Sequence, residues 1–288
     1  MFKKFLALIL ATLMLCSVVA CKKPGGSDEA IKDTALELKV KVFKMGRASC
    51  IILRTGNKVV MIDTGDEEKY DKVITYLNEK EIKRIDTLII TSFSKKNIGG
   101  ISAVLGAAEV GEVYMPGYTK SSGTYLTFEN ALTNAGITPK TVNEKTRVEV
   151  ADTILDICPP AKSYSTATDV NDEANSLVID LHHGSTRMLL TSKINGERLT
   201  EVAEMFKDAK FDLVTVPNYG EFDEKLEAFF KSFKTEYSVV VTSGTNPLPA
   251  ETKAAMEAAG IDTGKLYDTN NGAIEISTSG AGITEIKN

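Results

Sequence analysis

Met61-Ile62-Asp63-Thr64-Gly65, then Ile85-Asp86-Thr87-Leu88-Ile89-Ile90-Thr91, then Ile98-Gly99-Gly100: the order of these three stretches decides the fold. The first two are apolar runs that stop at small polar residues, the pattern of buried strands entering turns. Between them, residues 67–80 place Tyr70, Val73, Ile74 and Leu77 on one stripe, which predicts an amphipathic helix. Upstream, residues 36–42 alternate apolar and polar as a half-buried strand does, and runs at 51–53 and 59–62 flank the hairpin signal Thr55-Gly56-Asn57. Downstream, the pattern predicts a helix over 98–107, a strand over 113–115 and a helix over 124–135 that stops at Gly136. Strands follow at 147–150, 153–157, 177–181 and 188–190. Helices at 197–207, 223–233 and 250–259 then alternate with strands at 212–216, 238–242 and 273–277. Residues 162–175, polar and rich in Ser, Thr and Asp, read as a loop. Hairpins first and alternating strands and helices later predict a layered α/β domain over 36–288.

The 288 residues are 43% hydrophobic and 25% charged, with 21 Gly and 8 Pro, which excludes collagen-like and largely disordered chains. With 34 basic and 39 acidic residues the net charge is −5, so a broad nucleic-acid surface, which needs a basic excess, is not expected.

The N-terminus reads Met-Phe-Lys-Lys, an apolar run from Phe5 to Val19, then Ala20-Cys21. A basic start, an apolar stretch and a small residue before a cut describe a secretory signal, and about 15 apolar residues are short for a membrane span of roughly 20. Val18-Val19-Ala20-Cys21 resembles the bacterial lipobox, which implies cleavage after residue 20 and lipid on Cys21. Residues 21–35, with Lys22-Lys23-Pro24-Gly25-Gly26-Ser27, then form a flexible tether. The expectation is an exported domain held on the outer face of a bacterial cell membrane by acyl chains. Cleavage removes Lys3 and Lys4 and leaves 32 basic against 39 acidic residues. Cys50 and Cys158 each lie in or beside an apolar run and read as buried small hydrophobes, with a single bridge between them left open.

Taken in order, the motifs resemble the metallo-β-lactamase fold, and within it the ComEC-like competence hydrolases. That family carries Leu-Ile-Asp-Thr-Gly at a strand end and then Thr-His-x-His-x-Asp-His-x-Gly-Gly. Asn175-Ser176-Leu177-Val178 and Met188-Leu189-Leu190-Thr191 resemble its Asn-Ser-Leu-Val and Leu-Leu-Thr-Gly-Asp segments. Residues 213–220 resemble its Leu-Lys-Val-x-His-His-Gly, and 269–274 its closing strand. The match runs from about residue 38 to about 286 and rests on motif order rather than on any one motif. It implies an αββα sandwich: two mixed sheets face to face, helices outside, and a site at one sheet edge.

The same resemblance implies two metal ions held by imidazoles and carboxylates, and here those positions differ. The three His positions of the first motif hold Ser92, Ser94 and Asn97, and its Asp position holds Lys96, beside Lys95. The later Gly-Asp reads Ser192-Lys193, the next His position is Asn218, beside Tyr219, and the last aligns loosely with Asn246. A charged lysine has donors and no acceptor, so no metal or other cofactor is expected. Asp63 keeps the family's strand-end carboxylate, either capping backbone at Thr64-Gly65 or pairing with a site lysine. His182 and His183, the chain's two histidines, follow a strand and point to opposite faces, so they read as hairpin-end residues rather than a ligand pair.

The expected function is therefore a membrane-anchored, metal-free and non-catalytic domain that binds a small anionic ligand or an envelope protein. Lys96 and Lys193, with Ser92, Ser94, Asn97, Asn218 and Tyr219, would supply cations and donors. The alternative is a hydrolase of the same superfamily acting on phosphodiester or nucleic-acid-like substrates. Without metal it would need a Ser-Lys pair drawn from Ser92 or Ser94 and Lys96 or Lys193. A structural part in an envelope complex is the third reading.

Overall fold

A computed structural model describes residues 36–164 and 170–288; the signal, Cys21, the tether and residues 165–169 of the polar loop lie outside the described residues. The first half runs β1 (Leu38–Val42), β2 (Ile51–Thr55), β3 (Lys58–Ile62), α1 (Asp71–Glu79), β4 (Arg84–Ile89), α2 (Lys95–Ile98), α3 (Ile101–Ala107), β5 (Glu109–Pro116), α4 (Gly123–Asn134) and β6 (Lys140–Val142). The second half runs β7 (Thr146–Val150), β8 (Thr153–Cys158), β9 (Val178–His183), β10 (Thr186–Leu190), α5 (Gly196–Met205), β11 (Lys210–Thr215), a 3₁₀ turn at Pro217–Gly220, α6 (Leu226–Lys231), β12 (Lys234–Val240), α7 (Ala250–Ala258), β13 (Leu266–Asp268), β14 (Ile274–Thr278) and β15 (Ile283–Lys287).

Among the described residues, eight strands form one sheet in the order β15-β14-β1-β2-β3-β4-β5-β6, and seven form the other in the order β13-β12-β11-β10-β9-β8-β7. Both are mixed: β1, β2 and β3 pair antiparallel while β3, β4, β5 and β6 run parallel, and β10 to β13 run parallel beside antiparallel β7 to β10. The period-2 pattern explains the layers. Leu38, Val40 and Val42 of β1 face Ile179, Leu181, Met188 and Leu213 across the gap between the sheets. Strands buried on both faces alternate between cores: Val60 and Ile62 point into that gap, whereas Val59 and Met61 join Val73, Leu77, Ile101, Val104 and Phe128 beneath α1, α3 and α4. A third core packs Leu189, Val214 and Val240 against Leu199, Val202, Phe229 and Met256 of α5, α6 and α7. The architecture is thus an αββα sandwich.

Several element boundaries differ from the sequence pattern for local reasons. The helix over 67–80 begins at Asp71, because the Asp66 carboxylate accepts from Glu68 N at 2.9 Å and turns the chain first. The single helix over 98–107 is two, broken at Gly99-Gly100, where the backbone runs against Thr64. The strand over 238–242 is Lys234–Val240. Strands β6, β13 and β15 carry no apolar run in the sequence, being short or exposed edge strands. The hairpin signal gives a two-residue Gly56-Asn57 loop with Thr55 opposite Lys58 and Gly56 at φ +56°. Among the described residues no helix is long and apolar enough to cross a membrane.

Candidate functional site

Loops after β3, β4, β10, β11 and β12 meet at one end of the sandwich. Four non-glycine residues there adopt left-handed backbone: Asp63 (φ 60°), Ser192 (φ 52°), Asn218 (φ 47°) and Tyr219 (φ 57°). Such conformations cost energy, and their concentration at one end marks a place where the fold holds side chains in a required geometry. Cross-loop backbone bonds fix the arrangement: Asp63 N to Ile89 O at 2.9 Å, Thr64 N to Asn97 O at 2.7 Å, and Asn218 N to Ser192 O at 2.9 Å.

Asp63 is fully buried at the centre. Its Oδ1 accepts from Thr91 N at 2.8 Å, and its Oδ2 accepts from Thr91 Oγ1 and Asn97 Nδ2, both at 2.7 Å. Burial pushes its carboxyl up to about 6, against the pull of hydrogen bonds from Thr91, Ser49 and Asn97. Asn97 Oδ1 accepts from Ser94 Oγ at 2.7 Å and Tyr219 OH at 3.1 Å, and Thr91 Oγ1 lies 2.6 Å from Ser192 Oγ. Beneath Tyr219, bounded by Asp63, Thr91 and Ser192, is a void of about 40 Å³, room for a water or two rather than a substrate.

The other sequence-predicted residues separate. Ser92 is buried, with its Oγ 3.4 Å from Ser94 N. Asn218 is buried and donates to Glu221 Oε2 at 3.0 Å. Lys193 is drawn to Glu173, at 2.5 Å, and holds that carboxyl below its ordinary value although burial works against its charge. Lys95 is exposed. Lys96 instead lies with Arg47, Lys69, Asp66 and Asn246 around a second cavity of about 180 Å³. Lys96 Nζ and the Arg47 guanidinium stand 5.3 and 5.8 Å from the centroid of the Tyr219 ring. Partial burial, then the charges of Arg47 and Lys193, lower the pKa of the Lys96 ammonium. The structure thus brings Lys96 and Asn246 to one cavity, and gathers Asp63, Ser94, Asn97 and Tyr219 into one network.

Arg47, Lys69, Ser49, Glu173 and Glu221 escape sequence reasoning. Arg47 and Ser49 sit in the loop between β1 and β2, which carries no motif, and Glu173 and Glu221 in loops whose partners are remote in the chain. The signal within reach was chemical: Met45-Gly46-Arg47 places a cation just before an apolar strand.

The donor set does not fit a dinuclear metal centre. The strand ends supply hydroxyls and amides from Ser92, Ser94, Asn97, Ser192 and Asn218 and ammonium groups from Lys96 and Lys193; their one carboxylate, Asp63, already accepts from Thr91 and Asn97. Among the described residues, one cluster of three ligand-type side chains has converging atoms: Asp156, Asp180 and His182. Asp156 and Asp180 sit directly opposite on β8 and β9. Arg147 clasps Asp156 at 2.8 and 3.0 Å, and Arg187 clasps Asp180 at 2.9 and 2.8 Å, so these carboxylates are committed to guanidinium groups. His183 is buried; its Nε2 faces the Leu36 carbonyl at 2.5 Å and its Nδ1 faces Thr153 Oγ1 at 2.9 Å, as a hairpin-end residue. Cys50 and Cys158 are free and buried, and burial pushes both thiols up.

No family model matches the chain. It is 23% identical over 204 residues to ComE operon protein 3 of Bacillus subtilis (strain 168), covering 65% of this chain and 26% of that protein. The metallo-β-lactamase fold protein YhfI from Bacillus subtilis superposes with a TM-score of 0.53 at 12% identity, over 81% of this chain and 96% of its own. Zn2+-bound PqqB from Methylobacterium extorquens gives 0.52 at 10% identity, over 76% and 84%. A diphosphatase of the PhnP family gives 0.50 at 12%, over 81% and 94%. The chain has the metallo-β-lactamase fold.

Proposed function

We propose that this chain is an exported, lipid-anchored protein whose metallo-β-lactamase-like domain binds an anionic ligand or an envelope partner and has no metal-dependent hydrolytic activity. The observation that carries this reading is the closed network at the strand ends. Asp63, Thr91, Asn97, Ser94, Ser192 and Tyr219 satisfy one another. The phenol of Tyr219, buried to 6% exposure, reaches Asn97, one of the positions that aligned with a metal-binding histidine. Opening that network to admit two cations would break several buried hydrogen bonds, each costing about 1–3 kcal/mol when a partner is left unpaired. The zinc of PqqB and the activity named for the diphosphatase are properties of those proteins, and fold alone does not transfer them. The anchoring half of the proposal is supported by Val18-Val19-Ala20-Cys21 and the tether that follows.

The test is metal content by mass spectrometry on the purified full chain, with phosphodiester turnover assayed in added zinc or manganese. The expected result is no stoichiometric metal and no turnover above buffer. Metal bound at one or two equivalents would return the chain to the hydrolases. In parallel, the parent protein is expected in the detergent phase and Cys21→Ser in the aqueous phase of a phase-separating detergent; identical partitioning would remove the lipid anchor.

A further inference from the structure

We propose that the cavity between Arg47, Lys69 and Lys96 is a binding site for a phosphate dianion, free or carried as a monoester on a larger molecule. The inference rests on reading this end of the sandwich as a metal-free binding surface, and it names the ligand chemistry.

Charge is the first argument. Three cationic side chains line the cavity against one carboxylate, Asp66, whose Oδ1 is already taken by Glu68 N. Glu221 pairs with one edge of the Arg47 guanidinium. The Arg47 Nε–H is buried and has no acceptor. Lys96 Nζ stands 5.3 Å from the Tyr219 ring centroid and feels the more distant charges of Glu221 and Asp66, and Lys69 Nζ lies over Gly46. Buried donors normally find acceptors, and the Arg47 Nε–H is a buried donor without one, beside the exposed Lys69 and half-buried Lys96. With Glu221 counted against Arg47 the excess is one positive charge, and what selects phosphate is its acceptors: several oxygens can take donors from Arg47, Lys69 and Lys96 together, where a carboxylate has two.

Position is the second argument. The cavity sits beyond the carboxyl ends of parallel β3 and β4, where open α/β sheets bind ligands. Its walls are held in place. Tyr219 packs its ring against both Lys96 and Arg47, and Lys69 Nζ lies over Gly46, where an added Cβ would meet it at 2.8 Å. Ser243, Thr245 and Asn246 also line it and bond to one another, Asn246 Nδ2 donating to Thr245 Oγ1 at 3.2 Å, which leaves that amide its second N–H. The lowered pKa of Lys96, which burial and then its cationic neighbours cause, is the strain expected of a cluster that an anion would relieve.

Calorimetry and thermal unfolding of the full chain, at ionic strength matched with sodium chloride, test the proposal. The probes are inorganic phosphate, ribose 5-phosphate and acetate. Saturable binding with a raised Tm is expected for at least one phosphate probe and not for acetate. A response to inorganic phosphate identifies a free-phosphate site, and a response to ribose 5-phosphate alone identifies a monoester site. Lys69→Ala with Lys96→Ala is expected to weaken binding about tenfold or more, and Lys95→Ala, on the exposed neighbour, to leave it unchanged. Should the double variant unfold, Lys69→Gln on the exposed side chain is expected to weaken binding several-fold. Saturation by neither phosphate, or affinity unchanged in the lysine variants, overturns the proposal. Metal content is measured on the same preparation. Bound metal with intact phosphate binding would sink the metal-free reading alone, and metal-free protein that ignores phosphate would sink this proposal alone.

Discussion

Asp63 shows how one residue's setting becomes a stability curve. Its carboxyl, ordinarily near 3.8, is pushed up to about 6 by full burial. The folded state therefore holds the proton more tightly than the unfolded chain. The stability this adds is fully present below about pH 4 and is lost as pH rises through about 6, by about 3 kcal/mol for a shift of two units. The protonated form has somewhere to donate, since Thr91 Oγ1 lies 2.7 Å from Oδ2 and can pass its own proton to Ser192, 2.6 Å away. Urea unfolding of the parent and Asp63→Asn at pH 4, 5, 6 and 7 checks this: the parent's advantage over the variant is expected to shrink as pH rises. A difference independent of pH would mean that Asp63 titrates normally. The sequence made Asp63, Ser94, Asn97 and Lys96 visible because each sits in a motif of known order. Arg47 and Glu173 stayed hidden because their meaning lies in partners, Glu221 and Lys193, that only the folded chain brings near.

At the scale of elements, the Gly99-Gly100 break between α2 and α3 is what lets the loop after β4 approach the loop after β3. A Cβ on Gly100 would stand 2.2 Å from Thr64 O, and one on Gly99 would stand 2.6 Å from Glu67 N. Both obstacles are backbone and cannot rotate aside. Gly100→Ala is expected to destabilise by about 3 kcal/mol, the upper part of the range for overpacking, and to loosen the Asp63 network. Gly106, inside α3, meets nothing within 4 Å at its Cβ position, so Gly106→Ala is expected to stabilise by about 0.5–1 kcal/mol through helix propensity. The same substitution six residues apart thus carries opposite signs, readable as Tm shifts in opposite directions; equal shifts would contradict the close approach. The helix period was legible after this break, whereas the single turn of α2 before it left none, and the two glycines read as part of a motif rather than as a boundary. Three-residue β6 and β13 left no pattern because so short a strand completes hardly one period.

The whole molecule is closed by its last strands. β14 pairs antiparallel with β1, so the final hairpin borders the strand that opens the described chain, and β15 then forms the sheet edge. Strand and helix patterning in the sequence predicted a layered α/β domain, and the order of the layers came from the resemblance carried by the motifs. The closure was not legible in that patterning, since pairing partners more than two hundred residues apart leave no local trace. Its energetic consequence can be measured at Ile276. That side chain is 1% exposed, opposite Val40, in the core between the sheets. Ile276→Ala removes buried methyl groups where neighbours from both sheets cannot all collapse inward, for an expected loss of about 2–5 kcal/mol. Because the cavity falls in a core that both sheets share, the loss should appear in one transition. With no tryptophan in the chain, fluorescence follows the packing around all nine tyrosines while far-ultraviolet dichroism follows the secondary structure. Coincident midpoints that move together in Ile276→Ala are expected. A variant in which one probe moves and the other stays would mean that side-chain packing and secondary structure are lost in separate steps, so that the shared core does not make the sandwich a single cooperative unit.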